Sequence, residues 1–443
     1  MRQRTIFWFW LPLFASWLLM TAEGPFVSTI INRLPNEVIM LAAQGIVVSL
    51  SVTIESPIIA LLATSTAVVK DRSSYLLVRR FTIHWAIFLT IVAAALAFTP
   101  LFDLIIVDLM QTPAPVAVWV RPGLRIMTFW TAAIAWRRFL QGVLIHYGLT
   151  RRVAWGTLVR LISSAGTAVI LATMTDFAGV IIGSISLMAG VIAEATYATL
   201  AVQSILRNQL APDSPADAGE VLTYHKLFWF HLPLALTSLL ALLAQPLVTF
   251  SLARLDKPTL SLAAWPVLFQ ITLMARAAAF AWPEVVIALS DGAKTFLPIR
   301  RFTFNMASVV TIVLAIFILT PLSAFYIFVI QDMTQLVGEL VESSLLLFLL
   351  FPALTVLVSW LRGLLIKQGV TREVNLGMAI NLLITAVILA IGLNYHLPGL
   401  PTAAIALNVA AFCEVVYLLW RTRDTLAPEI QLLQLRPVEA VGQ

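Results

Sequence analysis

Long apolar runs separated by short polar stretches fill the chain from residue 6 to residue 420. In lipid every backbone N–H and C=O has to be satisfied within its own segment, so runs of this kind become helices. About 20 apolar residues are enough to cross a bilayer. The runs predict twelve helices, at 6–32, 38–69, 81–108, 117–146, 153–175, 179–206, 225–252, 259–289, 302–330, 337–366, 374–393 and 401–420. Several are longer than a bilayer requires and must tilt, kink or project. The short alternating segments of a membrane barrel are not seen. The expected fold class is therefore an all-α polytopic membrane protein. One stretch inside the chain, Arg207 to Lys226, is long, polar and rich in breakers, with Pro212, Asp213, Ser214, Pro215, Asp217, Gly219 and Glu220. It divides the helices into two sets of six. The expected organisation is an N-terminal lobe at 1–206, a cytoplasmic linker at 207–224, a C-terminal lobe at 225–420 and a polar, poorly ordered cytoplasmic tail at 421–443.

The two sets repeat each other. Phe7-Trp8-Phe9-Trp10-Leu11-Pro12-Leu13 returns as Phe228-Trp229-Phe230-His231-Leu232-Pro233-Leu234, and Pro25 returns as Pro246, both at a shift of 221. Arg79-Arg80-Phe81-Thr82 matches Arg300-Arg301-Phe302-Thr303, and Thr99-Pro100-Leu101 matches Thr320-Pro321-Leu322, at the same shift. Gly142, Gly148, Thr150, Arg151 and Gly156 match Gly363, Gly369, Thr371, Arg372 and Gly377. The register then drifts: Thr167 to Ala172 recurs as Thr385 to Ala390 at a shift of 218, and Glu194 and Tyr197 recur as Glu414 and Tyr417 at 220. Six helices per repeat is an even number, so both halves enter the membrane in the same sense. Such parallel repeats are related by an axis along the membrane normal. Two lobes are expected to face each other across that axis with a cavity between them.

Composition agrees with a lipid solvent. The chain has 443 residues, 60% hydrophobic and 11% charged, with a mean hydropathy of +0.95. Soluble chains carry roughly 25% charged residues. The net charge of +6 resides in short clusters between apolar runs, the pattern of cytoplasmic loops rather than of nucleic-acid binding. With the N-terminus inside, the inner segments carry eighteen Lys and Arg against five outside, which places both termini in the cytoplasm. The basic start followed by apolar residues imitates a signal peptide, but the same motif opens the second half, so the first helix is expected to stay. Cys413 has no partner for an internal disulfide and reads as a small core residue.

With the repeat in view, the chain resembles the MOP flippase superfamily, which includes MATE-type exporters and lipid-linked glycan flippases. The resemblance rests on two six-helix parallel repeats and Pro-bent first and seventh helices. Met40-Leu41-Ala42-Ala43-Gln44-Gly45, Phe228-Trp229 through Pro233-Leu234-Ala235-Leu236, and Gln245-Pro246-Leu247-Val248 look most like the ANK (progressive ankylosis) family. The resemblance implies a monomeric membrane transporter working by alternating access. MATE-type proteins often carry an acidic residue in the first helix for cation coupling, and Glu23 takes that place here, directly before Gly24-Pro25.

Candidate chemistry follows from charges at membrane depth. Each costs about 2.5–3.5 kcal/mol or more on insertion scales, so each needs a partner, a cavity or a function. Pro25 removes a backbone hydrogen bond and frees a carbonyl near Thr21. A carboxylate beside free carbonyl oxygen can hold a proton or a small cation. Glu23 and Thr21, with Gln245 beside Pro246 in the seventh helix, are therefore the ion-coupling candidates; Glu23 itself aligns with Ala244. The alternative for Glu23 is a hydrogen bond inside its lobe or a charge reaching water. Gly24, Pro25 and Pro246 are the hinge candidates. Glu55 aligns with Arg276 across the repeat, so the two are expected either to pair between lobes or to find partners inside them. Arg137-Arg138, Arg160 and Arg362 make the inner cavity electropositive, or else snorkel to lipid heads. Arg121 and Arg125, near the outer end of the fourth helix, carry the same two readings. Glu194 with Tyr197, and Glu414 with Tyr417, occur in both lobes and read as structural, neutralising loop arginines near the cytoplasmic end. The five histidines are scattered mostly toward helix ends and read as interfacial, not as metal ligands. No phosphate loop and no Asp-Xaa-Asp motif is present.

The expected function is secondary active export of a small organic solute, coupled to H+ or Na+, by an antiporter of the inner membrane. The first alternative is a lipid-linked oligosaccharide flippase and the second a non-transporting scaffold. No enzymatic activity, cofactor, metal or nucleic-acid partner is expected; the partners are a small-molecule or lipid-linked substrate and membrane lipid.

Overall fold

The computed structural model describes residues 2–210, 222–290 and 293–434. The central part of the expected linker, 211–221, lies outside the described residues. Helices dominate, and among the described residues the one β contact is an isolated bridge between Asp256 and Pro398. In chain order the long helices are α1 (Gln3–Ile31), α2 (Glu37–Val68), α3 (Arg72–Phe98), α4 (Ala114–Ile126 and Trp130–His146), α5 (Thr150–Met174) and α6 (Gly179–Asn208). The second half follows with α7 (Tyr224–Leu252), α8 (Pro258–Leu289), α9 (Ala293–Leu319), α10 (Gln335–Phe348 and Phe351–Lys367), α11 (Thr371–Asn394) and α12 (Gly399–Gln434). Among the described residues ten helices are long and apolar enough to cross a membrane, or eleven if the two segments of α10, bent by 45°, form one span. The remaining one, α4, carries Arg121, Arg125, Arg137 and Arg138, which lower its apolar character. α12 continues as helix to Gln434, through part of the tail expected to be poorly ordered.

The repeat is written in the backbone. α1 breaks at Ala22, three residues before Pro25, and α7 breaks at Leu243, three residues before Pro246. α2 breaks at Ala60 and α8 at Ala281, again 221 apart. A proline cannot donate to the helix ladder, which is why the first pair of breaks falls on the preceding turn. Left-handed residues recur at the same shift: Asn36 and Lys257 before α2 and α8, Gln111 and Asp332 before α4 and α10, Gly148 and Gly369 before α5 and α11. Glycine at the last pair, with φ of 74° and 77°, meets no steric cost. Thr99-Pro100 and Thr320-Pro321 end α3 and α9, and each is followed by a wide π-type turn, Asp103–Leu109 and Phe325–Ile330.

The halves interlock through their first helices. The start of α1 packs on the second half: the Trp10 indole donates to the Ala278 carbonyl at 3.0 Å and the Gln3 amide to the Pro298 carbonyl at 2.9 Å. The start of α7 packs on the first half, where His231, equivalent to Trp10, is fully buried. Its Nδ1 lies 2.9 Å from Thr64 Oγ1, and Phe81 and Trp85 contact its ring edge to face. His231 thus departs from the interfacial expectation: an imidazole surrounded by aromatic faces behaves as a packing residue. α2 and α8 also pack against each other across the halves. They approach so closely at Gly45 that an added Cβ would come within 2.7 Å of the Pro266 ring. At the opposite end Ser28 Oγ lies 2.9 Å from Gln270 Oε1 and 3.0 Å from Gln331 Oε1, and the Gln331 amide donates to the Pro25 carbonyl at 3.2 Å. Arg33 donates to the Ile330 carbonyl, and Arg254 to that of Leu109.

Candidate functional site

The break in α1 turns Glu23 into the first half, where only 7% of its surface remains exposed. Arg160 of α5 grips the carboxylate with Nε at 3.1 and 3.0 Å from its two oxygens and Nη2 at 2.6 Å. A planar fork on a carboxylate is among the stronger hydrogen-bonded pairings of side chains. An added Cβ at Gly190 of α6 would lie 3.2 Å from Glu23 Oε1, so the small residue admits the carboxylate. Arg160 also lies 3.8 Å from Glu194 of α6. Glu194 is fully buried and pairs with Arg137 of α4 at 2.9 Å, while Gln141 of α4 donates to it at 2.9 Å. Glu55 of α2 accepts the Trp130 indole N–H, and the Arg160 guanidinium lies 5.5 Å from the Trp130 ring centre. Arg137, Arg138 and Arg160 all lie within electrostatic reach of Glu55. Three arginines and three glutamates therefore share one buried network. Beside it, Glu23, Arg137, Arg160, Thr157 and Leu19 line a cavity of about 60 Å³. That space suits a few waters or a small cation and is too small for an organic solute.

The second half repeats the arrangement with altered charge. At a shift of 221 Glu55 becomes Arg276, Trp130 becomes Phe351, Gln141 becomes Arg362 and Arg160 becomes Asn381; Glu194 becomes Glu414 at 220. Glu414 accepts from Arg362 at 2.8 Å and from Asn381 at 2.9 Å. Arg276 donates to Thr355 Oγ1 at 2.8 Å, and its guanidinium lies 4.3 Å from the Phe351 ring centre and 5.3 Å from that of Phe280. Aromatic faces attract a desolvated guanidinium by about 2 kcal/mol. Two arginines here face one glutamate, so this network carries an excess positive charge.

Several sequence expectations change in the light of this geometry. Glu55 and Arg276 do not meet; each is held inside its own half. Glu194 and Glu414 neutralise mid-helix arginines rather than loop arginines, and Glu194 belongs to the same network as Glu23. Tyr197 packs over Gly156, whereas Tyr417 donates to Glu373, itself paired with Arg421. The Thr21 hydroxyl bonds back to the Leu18 carbonyl at 2.9 Å, and the Gln245 carbonyl accepts from Thr249 at 3.0 Å; neither residue is brought to the Glu23 carboxylate. Arg160 and Arg362 are neutralised by their glutamates, while the buried Nε of Arg138 has no hydrogen-bond partner among the described residues. Arg121 pairs with Asp103 at 2.6 Å, and Arg125 lies over the Phe98 ring. Gly24 rests against the Gln270 side chain, beside the break. Trp130, Gln141, Thr355, Asn381, Gln270 and Gln331 were not anticipated. Trp130, Gln141 and Asn381 were within reach, because each lies opposite a residue of the other network at the 221 shift; Thr355 lies opposite Ile134. Among the described residues no group of three His, Cys, Asp or Glu could hold a metal ion.

Searches against family models find no match, and no curated protein is detectably similar in sequence. Solved structures are. An inward-facing multidrug resistance MATE family transporter of the MOP superfamily is 13% identical, with a TM-score of 0.69 over 92% of this chain and 94% of its own. The lipid II flippase MurJ, in an inward closed conformation, is 15% identical with a TM-score of 0.69 over 93% and 87%. This is the MOP superfamily fold. A further MOP transporter, from Pyrococcus furiosus Vc1 (DSM3638), described as having a binding pocket of reversed polarity, is 14% identical with a TM-score of 0.62 over 94% and 95%. Within the MOP fold this chain holds two buried networks, one charge-balanced and one with an excess positive charge.

Proposed function

We propose that the protein is a secondary transporter that moves a small organic anion across the membrane by alternating access, with Glu23 as the ion-coupling group. The observation that carries the anion is the second network, in which Arg276 and Arg362 face Glu414 alone. Forked arginines are suited to carboxylate or phosphate oxygens. The coupling role rests on Glu23 and Arg160 beside a cavity sized for water or a cation. Protonation or cation binding at Glu23 loosens the Arg160 fork and changes the support of the α1 break. In this reading residues 1–206 and 225–420 form lobes related by an axis along the membrane normal. Both termini lie in the cytoplasm, the protein is an inner-membrane monomer, and transport runs outward. The similarity to MurJ favours a second reading, flipping of a lipid-linked sugar. The deciding experiment is reconstitution into vesicles with an imposed proton or sodium gradient and a panel of carboxylates, phosphate compounds, organic cations and lipid-linked sugars. Gradient-dependent anion movement supports the proposal. Movement of lipid-linked sugar alone supports the second reading, and movement that ignores every gradient removes the coupling role of Glu23.

A further inference from the structure

A groove of about 820 Å³ runs along α1, α8 and α9, with walls that include Phe7, Phe14, Met306, Val309, Val313 and Phe317. Beside α7, two of the equivalent positions carry larger rings. At the 221 shift Met306 corresponds to Trp85, Val309 to Phe88 and Asn305 to His84. Trp85 packs against Phe81, Phe88 and the buried His231, and His84 lies 3.0 Å from the Tyr224 hydroxyl. At these positions α9 carries smaller side chains than α3, which leaves room along this stretch of the groove. The groove is apolar along its length and basic at one end. Arg4 lines that end and is exposed. Arg301 sits four residues before Asn305, which also lines the groove, and so lies on the same helix face one turn nearer the end. From Arg4 to Leu18 the helix rises about 21 Å, comparable with one leaflet of a hydrocarbon core about 30 Å thick plus its interface.

We propose that this groove holds one acyl chain of an anionic membrane phospholipid, its phosphate seated between Arg4 and Arg301. The corresponding face beside α7, where α3 carries Trp85 and Phe88, is the internal comparison. The lipid fills the space between the start of α1 and the second half, next to the Trp10–Ala278 contact. This proposal does not depend on the nature of the transported solute.

The test is photolabelling in vesicles with phosphatidylglycerol bearing a diazirine in its acyl chain, compared with phosphatidylcholine bearing the same chain, followed by mapping of the adducts. Phosphatidylglycerol adducts should concentrate on α1 and α9 rather than on α7 and α3. They should exceed phosphatidylcholine adducts there by about thirtyfold, the scale expected for two surface arginines. Met306→Trp with Val309→Phe, which copies α3 at these positions, should remove the groove adducts. Arg4→Gln with Arg301→Gln, which leaves the packing untouched, should reduce phosphatidylglycerol labelling to the phosphatidylcholine level. Equal labelling of the two faces, equal labelling by the two lipids, or undiminished labelling of the arginine variant would each overturn the proposal.

Discussion

At the scale of residues, the energetics of the first network lie in which charges share partners. Removing one member of a buried ion pair costs about 3–5 kcal/mol, since the other charge stays in low dielectric unpaired. Glu23→Gln leaves Arg160 with Glu194 at 3.8 Å as its remaining carboxylate. It should therefore destabilise the purified protein by about 3 kcal/mol in denaturant or thermal unfolding. Combining it with Arg160→Met should recover most of that stability, because an apolar pair needs no solvation. Transport should stay lost in both variants if Glu23 is the coupling group; a double variant that transports normally would make the pair purely structural. The charge swap Glu55→Arg with Arg276→Glu tests the other sequence expectation. The geometry predicts no rescue of either single variant, because the swap places a fourth arginine among Arg137, Arg138 and Arg160 and puts a carboxylate against the faces of Phe280 and Phe351. Recovery of transport in the double variant would show that the two residues do pair in another state.

At the scale of elements, the positions of the helices and their breaks were legible in the sequence, because prolines act locally. Pro25 and Pro246 each lie three residues after a break, at Ala22 and Leu243. The partners of Glu23 were not legible, since they depend on how α5 and α6 rotate against the break, and a single sequence does not state rotation. Of the two alternatives for Glu55 and Arg276, partners inside each half are the ones formed, for a related reason. Equivalent residues in a pseudo-symmetric pair need not face the axis, and Trp130 and Thr355 draw these two into their own halves. The apolar runs concealed His231 in the same way: its neighbours Phe81 and Trp85 are far away in the chain. The break itself makes a prediction. Pro25→Ala restores an N–H able to reach the Thr21 carbonyl, straightening α1 and carrying Glu23 away from Arg160. The variant should fold, since a helix interior favours Ala over Pro by about 3 kcal/mol. Its transport should fall severalfold, measured as initial uptake into vesicles. Pro246→Ala, with no carboxylate at position 244, should slow transport less; equal effects would mean that the bends act only mechanically.

At the scale of the whole molecule, alternating access requires that contacts between the halves open in turn. The structure has such contacts at both ends. Trp10 with Ala278 and Thr64 with His231 tie one end, where hydrogen bonds are surrounded by aromatic packing. Ser28, Gln270 and Gln331 tie the other through uncharged polar side chains that exchange partners at little cost, alongside the exposed Arg33 and Arg254 contacts. The second set is the better candidate for a gate that opens every cycle, because net hydrogen-bond contributions are only about 1 kcal/mol each. Cysteines at Ser28 and Gln331, in a Cys413→Ala background, test it directly. A disulfide needs Cα atoms within about 7 Å, and a glutamine side chain reaches farther than that geometry favours, so a short bis-thiol-reactive linker is the appropriate bridge. The linker should form rapidly across the halves and abolish transport, and transport should return when a cleavable linker is reduced. A bridged protein that still transports would place the moving gate elsewhere. In that case the Trp10 contact and the groove beside it become the interface that must part.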